Sequence, residues 1–308
     1  MTTIILHDGT DREAWLDARH AGVGASEVPI LFGCGYGDSA QLDLYARKIG
    51  SSVPKFEADE GMDLGTLLEP VIVAEVARRA GIGSAYAPNK ALIANPDYPH
   101  LVCTPDTLTD SGEPVEVKNI CHRIDESEWL DGIPFKYQLQ LQSQIAVCEA
   151  KRGLFGAMLF GGRIVWTWLD RDDELIVDIN HRVGVFWGHV ERREPCAPNG
   201  TRSSRQAAVA IASELPPKEL FDGDMDQAVL DYESAKSDEA YAKRVASAAE
   251  QKRKTCEDSI ILAMGGAQKA VTTSGWQFIR TVTKRKASTT KASESHGLKV
   301  LAPKGDDE

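Results

Sequence analysis

Three polar residues on a predicted β-hairpin have types and spacing that suit metal-dependent chemistry. Asp106 ends one apolar segment, and Glu116 and Lys118 lie two residues apart in the next, after the turn signal Asp110-Ser111-Gly112. Residues two apart leave a strand on the same face, so Glu116 and Lys118 would lie together beside Asp106. Two adjacent carboxylates repel, and both stay ionised only with a cation between them. The pattern predicts an all-oxygen site for Mg²⁺ or Mn²⁺, with the lysine placed to hold a water or neutralise charge on a phosphate.

A glycine-rich segment near the N-terminus offers a second place where an anion could bind. Gly22 and Gly24 precede Ser26, which opens a predicted apolar helix over residues 28–32, and Arg19 lies shortly before the glycines. Exposed N–H groups at a helix start bind anions, and a nearby arginine would add positive charge. On spacing alone the favoured interpretation is structural: Ser26 caps its own helix and Arg19 is a surface charge.

Two predicted helices carry polar residues within apolar patterns. Residues 61–80 have apolar residues at helical spacing, with Glu69 in their midst, where burial is costly without a partner. A helix beginning at Pro134 carries four glutamines at alternate positions: Gln138, Gln140, Gln142 and Gln144. Gln138 and Gln142 share one helix face, and Gln140 and Gln144 share another. An uncharged amide could bind a phosphate or orient a water or the lysine, with a merely solvated face as the alternative.

The order of predicted elements indicates an α/β (α+β) fold, with a central mixed β-sheet flanked by helices. We expect strands at residues 84–94, 100–109, 113–118, 152–160 and 163–169. We expect the longer helices at residues 39–49, 61–80, 134–150 and 174–193.

Changes in composition predict how the chain is divided. Residues 1–194 would form the main domain, and the proline, glycine and serine content of residues 195–220 is typical of a linker. Residues 221–286 would form an appendage with a basic strand and either one long helix or a helical hairpin. Residues 287–308 are expected to be largely disordered.

Composition limits the classes of protein to which the chain could belong. It has 308 residues, 42% of them hydrophobic, and no apolar run long enough for a transmembrane helix. The net charge of −11 decides nothing about nucleic acid, because phosphate affinity depends on local basic patches. The six cysteines form no CxxC pair and no secretion signal is visible, so we expect free thiols in a reducing cytoplasm, that of a bacterial host if the gene is phage-derived.

Several of these motifs together resemble one family of nucleases. Residues 105–106 and 116–118, Pro-Asp then Glu-Val-Lys, resemble the PD-(D/E)xK signature. Residues 19–26 resemble the RxxGxxxS element that opens the YqaJ-type viral recombinases and phage lambda exonuclease. The G-x-x-x-E step at residues 65–69 and the Y-x-x-Q-x-Q pattern at residues 137–142 follow that family too. The resemblance covers roughly residues 11–193 and implies a restriction-endonuclease-like core.

The resemblance also implies a role for each of these positions. Metal ligands, for one or two Mg²⁺ or Mn²⁺ ions, would be Asp106, Glu116, Glu69 and the carbonyl of Val117. Residues assisting the attack of water would be Lys118, then Gln140, then Gln142. Residues binding the 5′-terminal phosphate of the DNA strand would be Arg19, Ser26 and Thr104.

The function that the resemblance implies is a metal-dependent exonuclease acting 5′ to 3′ on ends of double-stranded DNA. It would release 5′-phosphomonoesters and leave single strands for phage-type recombination, with a single-strand annealing protein as partner and a ring-shaped trimer as its assembly. One alternative is an endonuclease or a RecB-like defence nuclease, although the cysteine spacing does not supply the four-cysteine iron–sulfur cluster of many such relatives. The other alternative is a non-catalytic DNA-binding protein. The paired acids argue against it, because such a protein does not need them beside a phosphate.

Overall fold

The computed structural model describes residues 3–53, 60–82, 91–120, 129, 132–159, 162–215, 224–285 and 293–301. The chain divides into a first unit, Met1–Pro217, and a second unit, Lys218–Glu308. None of the helices in these described ranges is both long and apolar enough to cross a membrane.

Helices of the first unit are interspersed with its strands along the chain. They are α1 (Arg12–Arg19), α2 (Val28–Leu31), α3 (Gln41–Lys48), α4 (Glu60–Ala80), α5 (Phe135–Val147), α6 (Asp173–Arg192) and α7 (Arg202–Ser213). A 3₁₀ turn, Ala25–Glu27, leads into α2. The long helix α4 continues through Pro70, which the sequence allowed as a start or a bend.

Two mixed four-stranded sheets form the first unit's β-structure. The strands are β1 (Ile4–His7), β2 (Val23–Gly24), β3 (Leu92–Ala94), β4 (Leu101–Cys103), β5 (Thr107–Leu108), β6 (Pro114–Ile120), β7 (Arg152–Leu159) and β8 (Arg163–Asp170). One sheet has the order β1-β3-β4-β2 and the other β5-β6-β7-β8. Within them, β2 with β4 and β6 with β7 are parallel, and the remaining pairs are antiparallel. The predicted mixed α/β fold is confirmed, with its strands divided between two sheets.

The predicted hairpin is confirmed, although its first strand is shorter than expected. Strands β5 and β6 are antiparallel, with Thr107 opposite Val115, and Gly112 takes the positive φ of 82° that the turn requires. The strand predicted over residues 100–109 is instead two strands, β4 and β5, in different sheets. Pro105, lying between them, has no N–H for a ladder, so the chain changes sheets there and Asp106 falls at the junction. Of the strand predicted at 84–94, residues 84–90 lie outside the described residues.

Helix α5 lies against strands of both sheets, and this explains its burial. It contacts β4 of the first sheet and β6 and β7 of the second. Leu139, Leu141 and Ile145 are fully buried, and so are the glutamines between them, which must therefore find hydrogen-bond partners inside the protein. On the opposite side of β6, Val115 and Val117 pack against α4.

The linker predicted over residues 195–220 needs correction. Residues 202–213 form α7, which begins at the cap Thr201 and buries Ser204 and Ala207 against the first unit. The helix is amphipathic, and its small buried side chains allow close packing on α3. Pro195, Pro198 and Gly200 therefore come before the cap, and Pro216 and Pro217 follow the helix in the sequence.

The second unit contains α8 (Asp224–Met264), β9 (Lys269–Val271), β10 (Gln277–Arg285) and β11 (Ser293–Leu301). Of the two alternatives, α8 is one continuous helix. The three strands form an antiparallel sheet in the order β11-β10-β9. The tail predicted to be disordered over 287–308 is corrected by β11, which pairs with β10 from Ser293 to Leu301, because main-chain pairing needs no apolar sequence.

Substituting Gly156 should test the packing of α4 on β7. A Cβ at Gly156 would lie 2.4 Å from Val76 Cγ2, so Gly156→Ala must displace the helix or the strand. We expect a loss of about 1–3 kcal/mol in the free energy of unfolding, typical of overpacking. Gly162→Ala, where a Cβ meets nothing within 4 Å, is the matched control. Equal melting temperatures for the two variants would contradict this packing.

Candidate active site

Strand β6 supplies the centre of the site. Glu116 is only 2% exposed, and its carboxylate accepts hydrogen bonds from three side chains. Lys118 Nζ donates to Oε1, Gln140 Nε2 donates to the same oxygen at 2.7 Å, and Gln144 Nε2 donates to Oε2 at 2.6 Å. Because residues two apart share a strand face, Glu116 and Lys118 both point toward α5, as the sequence predicted.

Asp106 completes a pair of carboxylates beside this strand. Its Oδ2 accepts a hydrogen bond from the Val117 N–H at 2.7 Å, which ties the junction between the sheets to β6. Burial, and after it the neighbouring charge of Glu116, raises the pKa of Asp106 well above its ordinary value. The N–H and C=O of one strand residue point to the same edge, so the Val117 carbonyl also lies on the edge that Asp106 borders.

Lys118 stays cationic in this pocket. Burial by itself lowers the pKa of an ammonium, but the charge of Glu116 and the nearby Asp106 outweigh that effect, and the pKa of Lys118 is raised. The lysine is therefore held as a donor next to both acids.

The glutamines of α5 divide between two tasks, and one prediction needs correction. Gln142, predicted to assist catalysis, instead bonds Asp170 O at 2.8 Å and accepts from the Asp172 N–H at 3.0 Å, which secures the start of α6. Gln144, which was not predicted, takes its place beside Glu116. Positions four apart on a helix share a face whereas positions two apart do not, so the pairing of Gln140 with Gln144 was the signal that could have found it.

A cavity of about 570 Å³ joins the acid pair to the predicted anion pocket. Arg19, Ser26, Thr104, Asp106, Glu69 and Gln140 all line it, as does Gln144. Glu116 adjoins it through its hydrogen bonds from Gln140 and Gln144, Lys118 bonds Glu116 in turn, and Gln142 does not line it. Glu69, half-buried on α4, lies near enough to contribute to the raised pKa of Asp106.

Arg19, Ser26 and Thr104, the residues predicted to bind a phosphate, lie together on the wall of this cavity. Arg19 Nη2 donates to Ser26 Oγ at 2.9 Å, so the two residues act together and Arg19 is not a separate surface charge. Thr104 Oγ1 is buried and, among the described residues, has no hydrogen-bond partner. A buried hydroxyl without a partner, facing a cavity with an arginine, can receive a polar ligand.

Glu27 and Lys48 support the arginine, and the sequence analysis did not find them. Glu27 Oε2 accepts from the Gly24 N–H at 2.8 Å and pairs with Lys48 Nζ at 2.8 Å, and its Oε1 lies 3.7 Å from Arg19 Nη2. Lys48 also donates to Arg19 O at 3.3 Å. A Cβ at Gly24 would lie 2.9 Å from Arg19 Nη2, so a larger residue there would displace the guanidinium group.

The acids are arranged as a pair, with Glu69 more distant. Within the described part of the chain, no three side chains of aspartate, glutamate, histidine or cysteine are grouped closely enough to hold a metal ion by themselves. A cation at this site would therefore depend on Asp106 and Glu116 together with a backbone oxygen, and Glu69 would have to move closer to them.

The five cysteines in the described part of the chain are free thiols, as expected.

The fold and site together define a mixed α/β domain in which an Asp, a Glu and a Lys meet beside an Arg–Ser anion pocket. Residues 14–151 match the YqaJ-like viral recombinase domain. This match confirms the resemblance to the YqaJ-type recombinases that was drawn from the motifs.

Three known proteins are similar to the chain over 56–59% of its length. The uncharacterized protein YqaJ of Bacillus subtilis (strain 168) is 27% identical over 179 residues, which are 57% of this chain and 55% of that protein. The chain thus spans about half the length of this relative. An alkaline exonuclease from Laribacter hongkongensis has 25% identity and a TM-score of 0.48, over 59% of this chain and 94% of that one. A phage-related exonuclease from Haemophilus somnus 129PT has 15% identity and a TM-score of 0.42, over 56% and 94%.

Glu27→Gln should lower stability at neutral pH and much less in acid. Burial raises the pKa of Glu27, but Lys48 and Arg19 more than offset it, so its pKa lies below the ordinary value. Its contribution to stability is then present above the ordinary carboxyl pKa and is lost as pH falls through the lowered one. We expect a loss of about 2 kcal/mol at neutral pH, below the roughly 3–5 kcal/mol of a fully broken buried pair, because the amide oxygen still accepts a hydrogen bond.

The measurement is urea unfolding of both proteins at about pH 7 and about pH 3. Asp178→Asn is the control, since Asp178 forms an exposed pair with Arg182 and should matter by less than about 1 kcal/mol. A difference for Glu27→Gln that stays constant between the two pH values would show that its charge is not the cause.

Proposed function

We propose that this chain is a metal-dependent DNA exonuclease that hydrolyses phosphodiesters from the 5′ ends of duplex DNA. The observation that carries the proposal is the single cavity lined by both the acid pair's Asp106 and the Arg19–Ser26 anion pocket. A terminal phosphate held at one end of a cavity brings the next phosphodiester within reach of groups at the other. An endonuclease would have no need of such an end-binding pocket.

The chemistry of the donor atoms supports a divalent metal. Asp106, Glu116 and the Val117 carbonyl provide oxygen only, which suits Mg²⁺ or Mn²⁺ better than zinc. Burial, and after it the charge of Glu116, raises the pKa of Asp106, and a cation between the two carboxylates would offset both effects. When bound, such an ion activates water and stabilises charge on the phosphate. Glu69 would contribute a third carboxylate from the wall of the same cavity.

The chain's own side chains would then hold the terminal phosphate, orient the attacking water and neutralise charge on the phosphate. Gln140 and Gln144 fix the Glu116 carboxylate without cancelling its charge, because amides are neutral donors. Lys118, kept cationic, would orient the attacking water and offset charge developing on the phosphate. Arg19, with the hydroxyls of Ser26 and Thr104, would bind the 5′-terminal phosphate.

The direction and use of the reaction follow from that pocket. A 5′-phosphate held beside the acid pair favours removal of nucleotides from 5′ to 3′, as 5′-phosphomonoesters. Degrading one strand of a duplex leaves the other single-stranded, and the family's description as viral recombinases supports a role in recombination with an annealing protein as partner.

A degradation assay tests this function. Linear duplex with 5′-phosphate ends, the same duplex with 5′-hydroxyl ends, and closed circular DNA are each incubated with the protein and Mg²⁺. We expect rapid loss of the phosphorylated duplex, slower loss of the hydroxyl form, intact circles and no reaction in a chelator. Asp106→Asn should reduce the rate by about 10²–10³-fold, as for loss of a pre-organised charge partner, while Asp178→Asn leaves it unchanged.

Other results would exclude the proposal in distinct ways. Cleavage of the circles would indicate an endonuclease. Binding of duplex without any metal-dependent loss would indicate a non-catalytic protein. An Arg19→Ala variant that keeps the preference for 5′-phosphate would remove the assignment of the anion pocket.

The two glutamines of α5 provide a matched pair of variants. Gln144→Ala removes a donor to Glu116, and partners that orient metal ligands are typically worth about 10–100-fold in activity. Gln142→Ala breaks only bonds to the main chain at the start of α6, so it should lower the melting temperature with little change in rate per folded molecule. Rates and melting curves measured on both variants check this. A larger loss of activity in Gln142→Ala than in Gln144→Ala would show that Gln142 has the catalytic role instead.

A further inference from the structure

Arg12, the first residue of α1, lines the cavity together with Arg19 and was not among the predicted site residues. Its guanidinium carbon lies 4.6 Å from the ring centre of Trp15, and that of Arg19 lies 5.4 Å from the same ring. Both guanidinium groups therefore contact one buried indole, and their central carbons lie no more than the sum of those two distances apart. Cation–π contact with the indole holds both in place.

The two arginines differ in how their charges are compensated. Arg19 has Glu27 nearby, and Glu27 also pairs with Lys48, so these three residues together carry one net positive charge. Arg12 forms no ion pair with any residue that the structure describes. The neighbouring Asp11 is used otherwise: its side chain accepts the N–H groups of the first helical turn as the cap of α1.

The helix dipole does not favour a cation at Arg12. A cation in the first turn lies at the positive end of the helix dipole, which is slightly unfavourable, whereas Arg19 in the last turn is favourable. Arg12 is also exposed, so it adds little to the core. Arg12 instead gives the cavity a second positive charge, which no ion pair among the described residues compensates.

We propose that Arg12 is the second guanidinium of the anion pocket and makes it selective for a doubly charged terminal phosphate. This inference rests on the proposed function. A phosphomonoester carries close to two negative charges at neutral pH, because its second pKa is about 6. A phosphodiester carries one. The Arg19 group by itself matches a single charge, and Arg12 brings the pocket to two, so the pocket distinguishes a strand end from the interior of a strand.

Binding measurements on three duplexes test the proposal. The duplexes are identical except at one 5′ end, which carries a phosphate, a phosphate methyl ester with one charge, or a hydroxyl. Affinities are measured by fluorescence anisotropy, without divalent metal, for the wild type, Arg12→Gln, Arg12→Lys and Arg19→Ala. Arg205→Gln, an exposed arginine on α7 that does not line the cavity, is the matched control.

The quantity to compare is the ratio of affinities for the phosphate and the methyl ester. In Arg12→Gln we expect this ratio to fall roughly tenfold, as for the loss of one charge-assisted contact, with affinity for the hydroxyl duplex unchanged. Arg12→Lys should keep most of the ratio because it keeps the charge, and Arg205→Gln should keep all of it. Melting curves confirm that each variant is folded.

Two results would overturn the proposal. An Arg12→Gln protein that binds all three duplexes more weakly by the same factor has lost a general backbone contact. An Arg12→Gln protein with the wild-type ratio, when Arg19→Ala has lost it, shows that Arg12 has no role in the pocket while the proposed function stands. If the wild type itself has no preference for a phosphorylated end, the end-binding function fails and this inference fails with it.

Discussion

The buried carboxylate of Glu116 is the constraint on which the rest of the first unit depends. A charge that is 2% exposed is costly unless its oxygens are satisfied, and three donors are needed to do so here. Lys118 comes from the same strand, but Gln140 and Gln144 come from α5. The helix must therefore lie at one height and one rotation against β6, and its remaining faces are buried against both sheets.

The chemistry of those donors preserves the negative charge that the site needs. Two of the three are amides, which bond to the carboxylate and leave its charge in place. Asp106 meets the same strand through the Val117 N–H, and burial together with the neighbouring charge of Glu116 raises its pKa. Two neighbouring buried carboxylates are costly to stability, and the proposed function needs both of them at the point where the two sheets meet.

At the other end of the cavity the charges are arranged with the opposite sign. Glu27 and Lys48 form a partly buried pair behind Arg19 and hold the arginine where it reaches Ser26. The ring of Trp15 contacts the guanidinium groups of both Arg12 and Arg19. One cavity consequently has both acids and arginines in its wall.

The sequence by itself determined the mixed α/β class, the β5–β6 hairpin, the Asp106, Glu116 and Lys118 constellation, and the Arg19–Ser26 pairing that family resemblance favoured. These rest on local spacing: a period of two on a strand, a turn signal, or a short motif. Which glutamine reaches Glu116, the Glu27–Lys48 support, the break in the strand at Pro105 and the packing of α7 were decided only by tertiary structure. The physical reason is that each depends on the rotation or contact of an element against a neighbour distant in sequence, and no local pattern specifies that relation.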